Sequence, residues 1–243
     1  MAAQVRPGVP VTAFGFDERA DTRALSVVPD PSRPLSSLLF VDGAEPYPVS
    51  LPGRFNAADA LAAAALSRVL GVPDEAVRAG LAGVSVPGRA QRVPVPAPYT
   101  VIIDYAHNGT SFDAVLSALA EHRPRRILLV FGAGGDRPKM RRADMARSAA
   151  RWADRAVLTA DNPRSERVED ICGDIAAALG SAIPWEIIPD RREAIFRALS
   201  LAGEGDVVAL LGKGHERYIE EKGVRRPFSE WAVLDEYFAA HRG

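Results

Sequence analysis

From about residue 95 onward, short unbroken apolar runs alternate with longer segments of helical periodicity, and few folds accommodate that pattern. The runs occupy 101–103, 127–131, 156–159, 185–188 and 207–211. A strand that is apolar at successive positions must be covered on both faces. Strands separated by helices join through right-handed crossovers into a mostly parallel sheet, layered by helices on either side. The expected fold is α/β and Rossmann-like, with any ligand gathered at the carboxyl ends of the strands.

The preceding residues read differently. Up to about residue 50 prolines punctuate short β-like pieces at 36–41 and 47–51, the signature of a β-meander or edge material. An Ala-rich helix follows over 56–70, interrupted by Asp59 and Arg68, so it packs closely and does not span a bilayer. Gly71-Val72-Pro73 stops it, and Asp74 is placed to cap a second helix to about residue 81. The proline cluster at 94–98 predicts a boundary near residue 95, dividing the chain into 1–94 and 95–243.

Lys and Arg total 30 against 31 acidic residues, so no global field draws the chain to nucleic acid or an anionic membrane; any anion site is local. The first twenty residues carry scattered charges and no apolar run, unlike a signal peptide. The single cysteine, Cys172, excludes an internal disulfide and a thiolate zinc cluster, which suits a cytoplasmic protein with a packing cysteine.

Polar clusters follow all five runs: 104–107, 132–139, 161–164, Asp190 and 212–216. Gly132-Ala133-Gly134-Gly135-Asp136-Arg137 lets backbone amides approach an anion at a helix start, but it matches neither the dinucleotide fingerprint nor a Walker loop. Residues 123–155 hold ten Lys or Arg and three acids. This is either an anion site, with Arg137 the strongest candidate, or a solvated basic helix face. Asp161-Asn162-Pro163-Arg164 is a turn that presents Arg164, whose planar fork suits a carboxylate. Gly212-Lys213-Gly214-His215-Glu216 offers Lys213, His215 and Glu216 on a flexible loop. Asp104 either accepts ribose hydroxyls or caps the next helix.

Together with Pro52-Gly53-Arg54-Phe55-Asn56, Pro87-Gly88-Arg89 and Asp104-Tyr105-Ala106-His107, these clusters resemble, in order and spacing, the motif set of the Mur ligases. The match is closest to the branch that adds meso-diaminopimelate. It runs from about residue 10 and resembles the end of that family's central ATPase domain followed by its Rossmann-like carboxyl-terminal domain. The resemblance implies peptidoglycan precursor synthesis, with ATP and Mg²⁺ activating the D-glutamyl carboxylate of the UDP-muramoyl dipeptide as an acyl phosphate that the amino acid attacks. It implies further that Asn56 faces adenine and that Arg89 and Asp104 contact the nucleotide. Arg137, His107 and Lys213 would serve catalysis. Arg137, Asp161, Asn162, Pro163, Arg164, Gly212 and Glu216 would form the diaminopimelate pocket, Arg164 taking the distal carboxylate and Glu216 the distal ammonium.

This sequence departs from the family pattern at Asp59, at Pro138 and at Asn108-Gly109-Thr110, and it contains no G-x-x-x-x-G-K-[ST] segment. The expectation is that these 243 residues are not a competent ligase alone and would work with a separately encoded amino-terminal half. The readings set against this are a non-catalytic amino-acid- or nucleotide-binding module and a related amide ligase of secondary metabolism.

Overall fold

The computed structural model describes residues 6 and 8–241, which divide into two compact units between Ser85 and Val86. In the first, β1 (Phe14–Gly15), β2 (Thr22–Pro29), β3 (Ser37–Val41) and β4 (Tyr47–Val49) form a sheet in that order. β1 pairs parallel to β2, and the other two pairings are antiparallel, the expected meander. The long strand β2 carries too few consecutive apolar residues to stand out in the sequence. α1 (Arg54–Val69) buries Leu61 together with Ala57, Ala60, Ala64 and Ala65, whose small side chains allow close approach to the sheet. α2 (Asp74–Gly83) starts after Pro73 without a side-chain cap; Asp74 pairs instead with Arg68, 3.2 Å away, so the predicted cap is an ion pair.

The second unit begins nine residues before the predicted boundary, because β5 (Gln91–Val93) pairs antiparallel with β6 (Thr100–Asp104) and so belongs to the larger sheet. The chain continues through α3 (Gly109–Glu121), β7 (Ile127–Phe131), α4 (Met140–Trp152), β8 (Arg155–Leu158), α5 (Val168–Leu179), β9 (Trp185–Ile187), α6 (Arg191–Leu201) and β10 (Val207–Leu211). A hairpin of β11 (Tyr218–Glu221) and β12 (Val224–Pro227) precedes α7 (Glu230–Ala240). The sheet order is β5-β6-β10-β7-β8-β9, with every pairing parallel except that of β5. All five predicted runs are strands of this sheet.

Alternation along the strands divides the core. Val101, Ile103, Leu128, Val130, Val208 and Leu210 pack with Ala194, Ile195, Leu199, Val233 and Leu234 of α6 and α7. The intervening residues face α3, α4 and α5; Phe131, for example, meets Phe112 of α3 edge-on at 5.1 Å. Cys172 is buried in α5 with its thiol pushed up to about 12 by loss of solvent, a packing residue as expected.

Candidate functional site

The carboxyl ends of β6, β7, β8 and β10 converge on one pocket of about 630 Å³, counted to its open mouth. His107, Arg137, Asp161, Asn162, Arg164, Gly212 and Glu216 all line it, so most of the predicted site residues are brought together. Asp190, the cluster after β9, is not among them. It caps α6 by accepting from the Glu193 amide at 3.0 Å.

Glycines permit the close approach of these loops. A Cβ on Gly135 would lie 1.9 Å from the Pro163 carbonyl oxygen, and one on Gly88 2.3 Å from the His215 nitrogen. At Gly212, φ is +109°, and a side chain there would press on the Asp161 carboxylate. The Gly135 amide donates to the Asn162 carbonyl at 2.9 Å, and the Tyr105 amide to the Gly88 carbonyl at the same distance.

The charged groups divide into those engaged internally and those left for a ligand. Lys213 is fully buried: its Nζ donates to Asn162 Oδ1 at 2.9 Å and Glu216 Oε2 at 2.8 Å, and stands 3.5 Å from Asp161 Oδ1. Beneath the pocket floor it is thus a buried counter-ion to Glu216 and Asp161. Asn162 is a hub, accepting also from the Glu220 amide at 2.9 Å and donating to Glu216 Oε2 at 2.9 Å. Burial works to raise the Glu216 carboxyl, but the bonds from Lys213 and Asn162 outweigh it and hold it below its ordinary range. Asp161 is 6% exposed, and its Oδ1 has no hydrogen-bond partner among the described residues. The Lys213 ammonium, 3.5 Å from that oxygen, offsets its charge without a hydrogen bond. Arg164 donates from one terminal nitrogen to the Gly135 carbonyl at 2.6 Å, and Arg137 is exposed at the mouth. Pro163 is buried in the turn and supplies its carbonyl to the Glu166 amide.

Of the residues expected at a nucleotide, Asp104 and Asn56 are buried and Arg89 is exposed. Asp104 is 3% exposed, and its two oxygens accept from the Ala90 and Ala106 amides at 2.6 Å each. Burial pushes its carboxyl up. It does not cap α3; it ties the Arg89 loop to the end of β6, and the cap is Asn108, in a reciprocal box with Ser111. Arg89 is exposed and lies over the Tyr105 ring, 4.9 Å from its centre. His107 and His215 flank the same ring at 4.9 and 5.1 Å. In the first unit Asn56 is buried, its amide donating to the Pro52 carbonyl at 2.8 Å.

The family model described as Mur ligase, glutamate ligase domain, matches residues 88–214. This chain belongs to the Mur ligase family. It is 38% identical over 232 residues to the UDP-N-acetylmuramoyl-L-alanyl-D-glutamate–2,6-diaminopimelate ligase of Caldanaerobacter subterraneus subsp. tengcongensis, covering 94% of this chain and 48% of that protein. A solved structure of a ligase of the same name matches with a TM-score of 0.71 at 29% identity, over 100% of this chain and 50% of the other. Mycobacterium tuberculosis folylpolyglutamate synthase, solved with ADP and AMPPCP, matches at 25% identity with a TM-score of 0.63, over 80% of this chain and 46% of that one. The chain thus spans about half the length of the curated relatives it matches.

Within this Mur ligase chain one departure from the family pattern, Asn108-Gly109-Thr110, has a local reason. Asn108 and Ser111 replace the cap, and a Cβ on Gly109 would sit 2.6 Å from that of Asp144, so glycine lets α3 and α4 touch. Pro138 is exposed at the pocket rim. Three participants were not singled out from sequence: Tyr105, Arg142 and the β11–β12 hairpin. Arg142 belonged to the basic stretch but shares the buried stripe of Met145, Ala146 and Ala149, at helical spacings of three, four and seven, which is the signal that separates it from its solvated neighbours.

Proposed function

We propose that this chain supplies the acceptor-amino-acid site of an ATP-dependent ligase of peptidoglycan synthesis, which joins meso-diaminopimelate to UDP-N-acetylmuramoyl-L-alanyl-D-glutamate. The observation that carries the reading is the composition of the pocket. A guanidinium, Arg164, shares it with two carboxylates, Asp161 and Glu216, the first with a buried oxygen that accepts no hydrogen bond among the described residues and has only the Lys213 ammonium at 3.5 Å. A distal carbon bearing both carboxylate and ammonium needs that pairing of a planar cation and acceptors. Lysine lacks the carboxylate that Arg164 would hold. Arg137 at the mouth suits the meeting point of amino acid and phosphate. Of the nucleotide groups, exposed Arg89 and the Tyr105 ring fit ATP, whereas Asp104 does not in this conformation. ATP with Mg²⁺ would activate the D-glutamyl carboxylate as an acyl phosphate, and this chain's residues would hold and orient the attacking amine.

Calorimetric titration of the 243-residue chain with meso-diaminopimelate and with L-lysine tests the reading. Arg164→Ala is expected to weaken meso-diaminopimelate binding by about 2–5 kcal/mol, the usual result of removing one partner of a buried charge pair. Lysine binding should change little. Equal losses for the two ligands would make Arg164 a support of its turn and refute the acceptor assignment.

A further inference from the structure

Arg164 has a left-handed backbone, φ 52°, and so does Asp136 in the facing loop, φ 54°. A non-glycine residue adopts that conformation only when its surroundings hold it there. At Arg164 the amide donates to the Glu220 carbonyl at 3.0 Å and the carbonyl accepts from the Lys222 amide at 2.7 Å, while a strap of ion pairs and hydrogen bonds ties the turn to the glycine loop. Arg142, 2% exposed, grips both oxygens of Glu166 at 2.7 Å and reaches Asp174 Oδ2 at 2.7 Å with its other arm. Glu166 Oε1 also accepts from the Asp136 amide at 2.7 Å. The Asp136 carboxylate in turn accepts from the Ser165 amide at 3.3 Å and from the Ser165 hydroxyl. Between these ties stands the single bond by which the Arg164 guanidinium is aimed, to the Gly135 carbonyl.

We propose that Arg142, Glu166 and Asp136 are positioning residues for acceptor selection, holding the glycine loop and the Arg164 turn in register so that the guanidinium meets a second carboxylate on the amino acid. The inference rests on the acceptor reading above. If the strap sets the aim of Arg164, loosening it penalises a ligand that uses the guanidinium and spares one that does not. A strap that only stabilised the unit would lower both affinities together. Hydrogen bonds from Arg142 hold the Glu166 carboxyl below its ordinary range, so the strap is charged at neutral pH.

The test compares meso-diaminopimelate and L-lysine binding in the 243-residue chain, by calorimetry, for wild type, Glu166→Gln and Arg142→Lys. The lysine variant keeps a cation but cannot grip Glu166 and Asp174 together. In both variants meso-diaminopimelate should bind about tenfold more weakly and lysine within twofold of wild type, with faster hydrogen exchange at the Asp136 amide and unchanged exchange at Val130 in β7. Parallel losses for the two ligands, or an unchanged preference in a folded variant, overturn the inference while leaving the acceptor reading intact. Wild type that shows no preference for meso-diaminopimelate refutes the acceptor reading and, with it, the selection role of the strap.

Discussion

Glu230 and Arg191 form an ion pair with side chains 1% and 0% exposed, and breaking it should unfold the second unit far more readily than its surface pairs would suggest. Arg191 donates to Glu230 Oε1 at 2.7 and 3.0 Å, to the Ala160 carbonyl at 3.0 Å and to the Leu211 carbonyl at 2.9 Å. Ala160 and Leu211 directly precede Asp161 and Gly212, so this guanidinium clamps the roots of two pocket loops. Glu230→Ala leaves a buried cation with two carbonyls and no counter-charge. Losing one partner of a buried pair costs about 3–5 kcal/mol, and the surviving carbonyl bonds place the expectation near about 3 kcal/mol. Arg191→Met should cost at least as much, because two strand-end carbonyls lose a donor and the burial that already pushes the Glu230 carboxyl up is then unopposed. The double variant with Glu230→Leu should show a coupling of about 2 kcal/mol or more in the cycle. Trp152, Trp185 and Trp231 all lie beyond residue 86, so tryptophan emission during urea unfolding follows this unit alone. A loss under about 1 kcal/mol for Glu230→Ala would refute the argument, since no buried unpaired charge is that cheap.

A second expectation concerns acid. Although burial opposes it, bonds from Arg126 and Arg125 lower the Asp206 carboxyl to about 2 from 3.8. A depressed folded value means stability present above the unfolded value and lost as pH falls from about 4 through about 2, worth roughly 2 kcal/mol. Asp206→Asn should lose that amount at neutral pH and show a flatter stability profile below pH about 4; an unchanged profile would contradict the pairing. Third, Gly135→Ala forces a Cβ to within 1.9 Å of the Pro163 carbonyl oxygen, so the two loops must separate. Meso-diaminopimelate binding should fall at least about tenfold, equivalent to about 1.4 kcal/mol, while the tryptophan-detected unfolding midpoint moves little. Wild-type affinity would show that the loops need not touch.

The second unit was legible because its strands are buried on both faces and therefore written as plain apolar runs. The pocket was legible because parallel topology places every strand's carboxyl end on one edge. What escaped was whatever depends on pairing distant residues. Nothing local to Asp104 announces that one of its oxygens will be taken by the distant Ala90 amide, and a lysine between glycines, Lys213, looks exposed until Asn162, Asp161 and Glu216 fold around it. The boundary missed by nine residues for the same reason: β5 is three residues long, polar at two of them, and is a strand only because β6 lies beside it. Arg142 was hidden by composition, an arginine among arginines whose burial shows only when helical spacing is counted.

The position of β10 bears on how such a chain is made. It is the last of the parallel strands to leave the ribosome, yet it lies between β6 and β7, the first two. Until residue 211 has emerged, those two strands face each other across a vacant slot with open ladders of amides and carbonyls, an invitation to mispairing. The slot is filled by the segment that leads directly into Gly212–Glu216 and so completes the pocket. A nascent chain therefore has no stage at which it owns all the pocket loops without the finished sheet, and loss of the final forty residues would leave two half-sheets and no pocket.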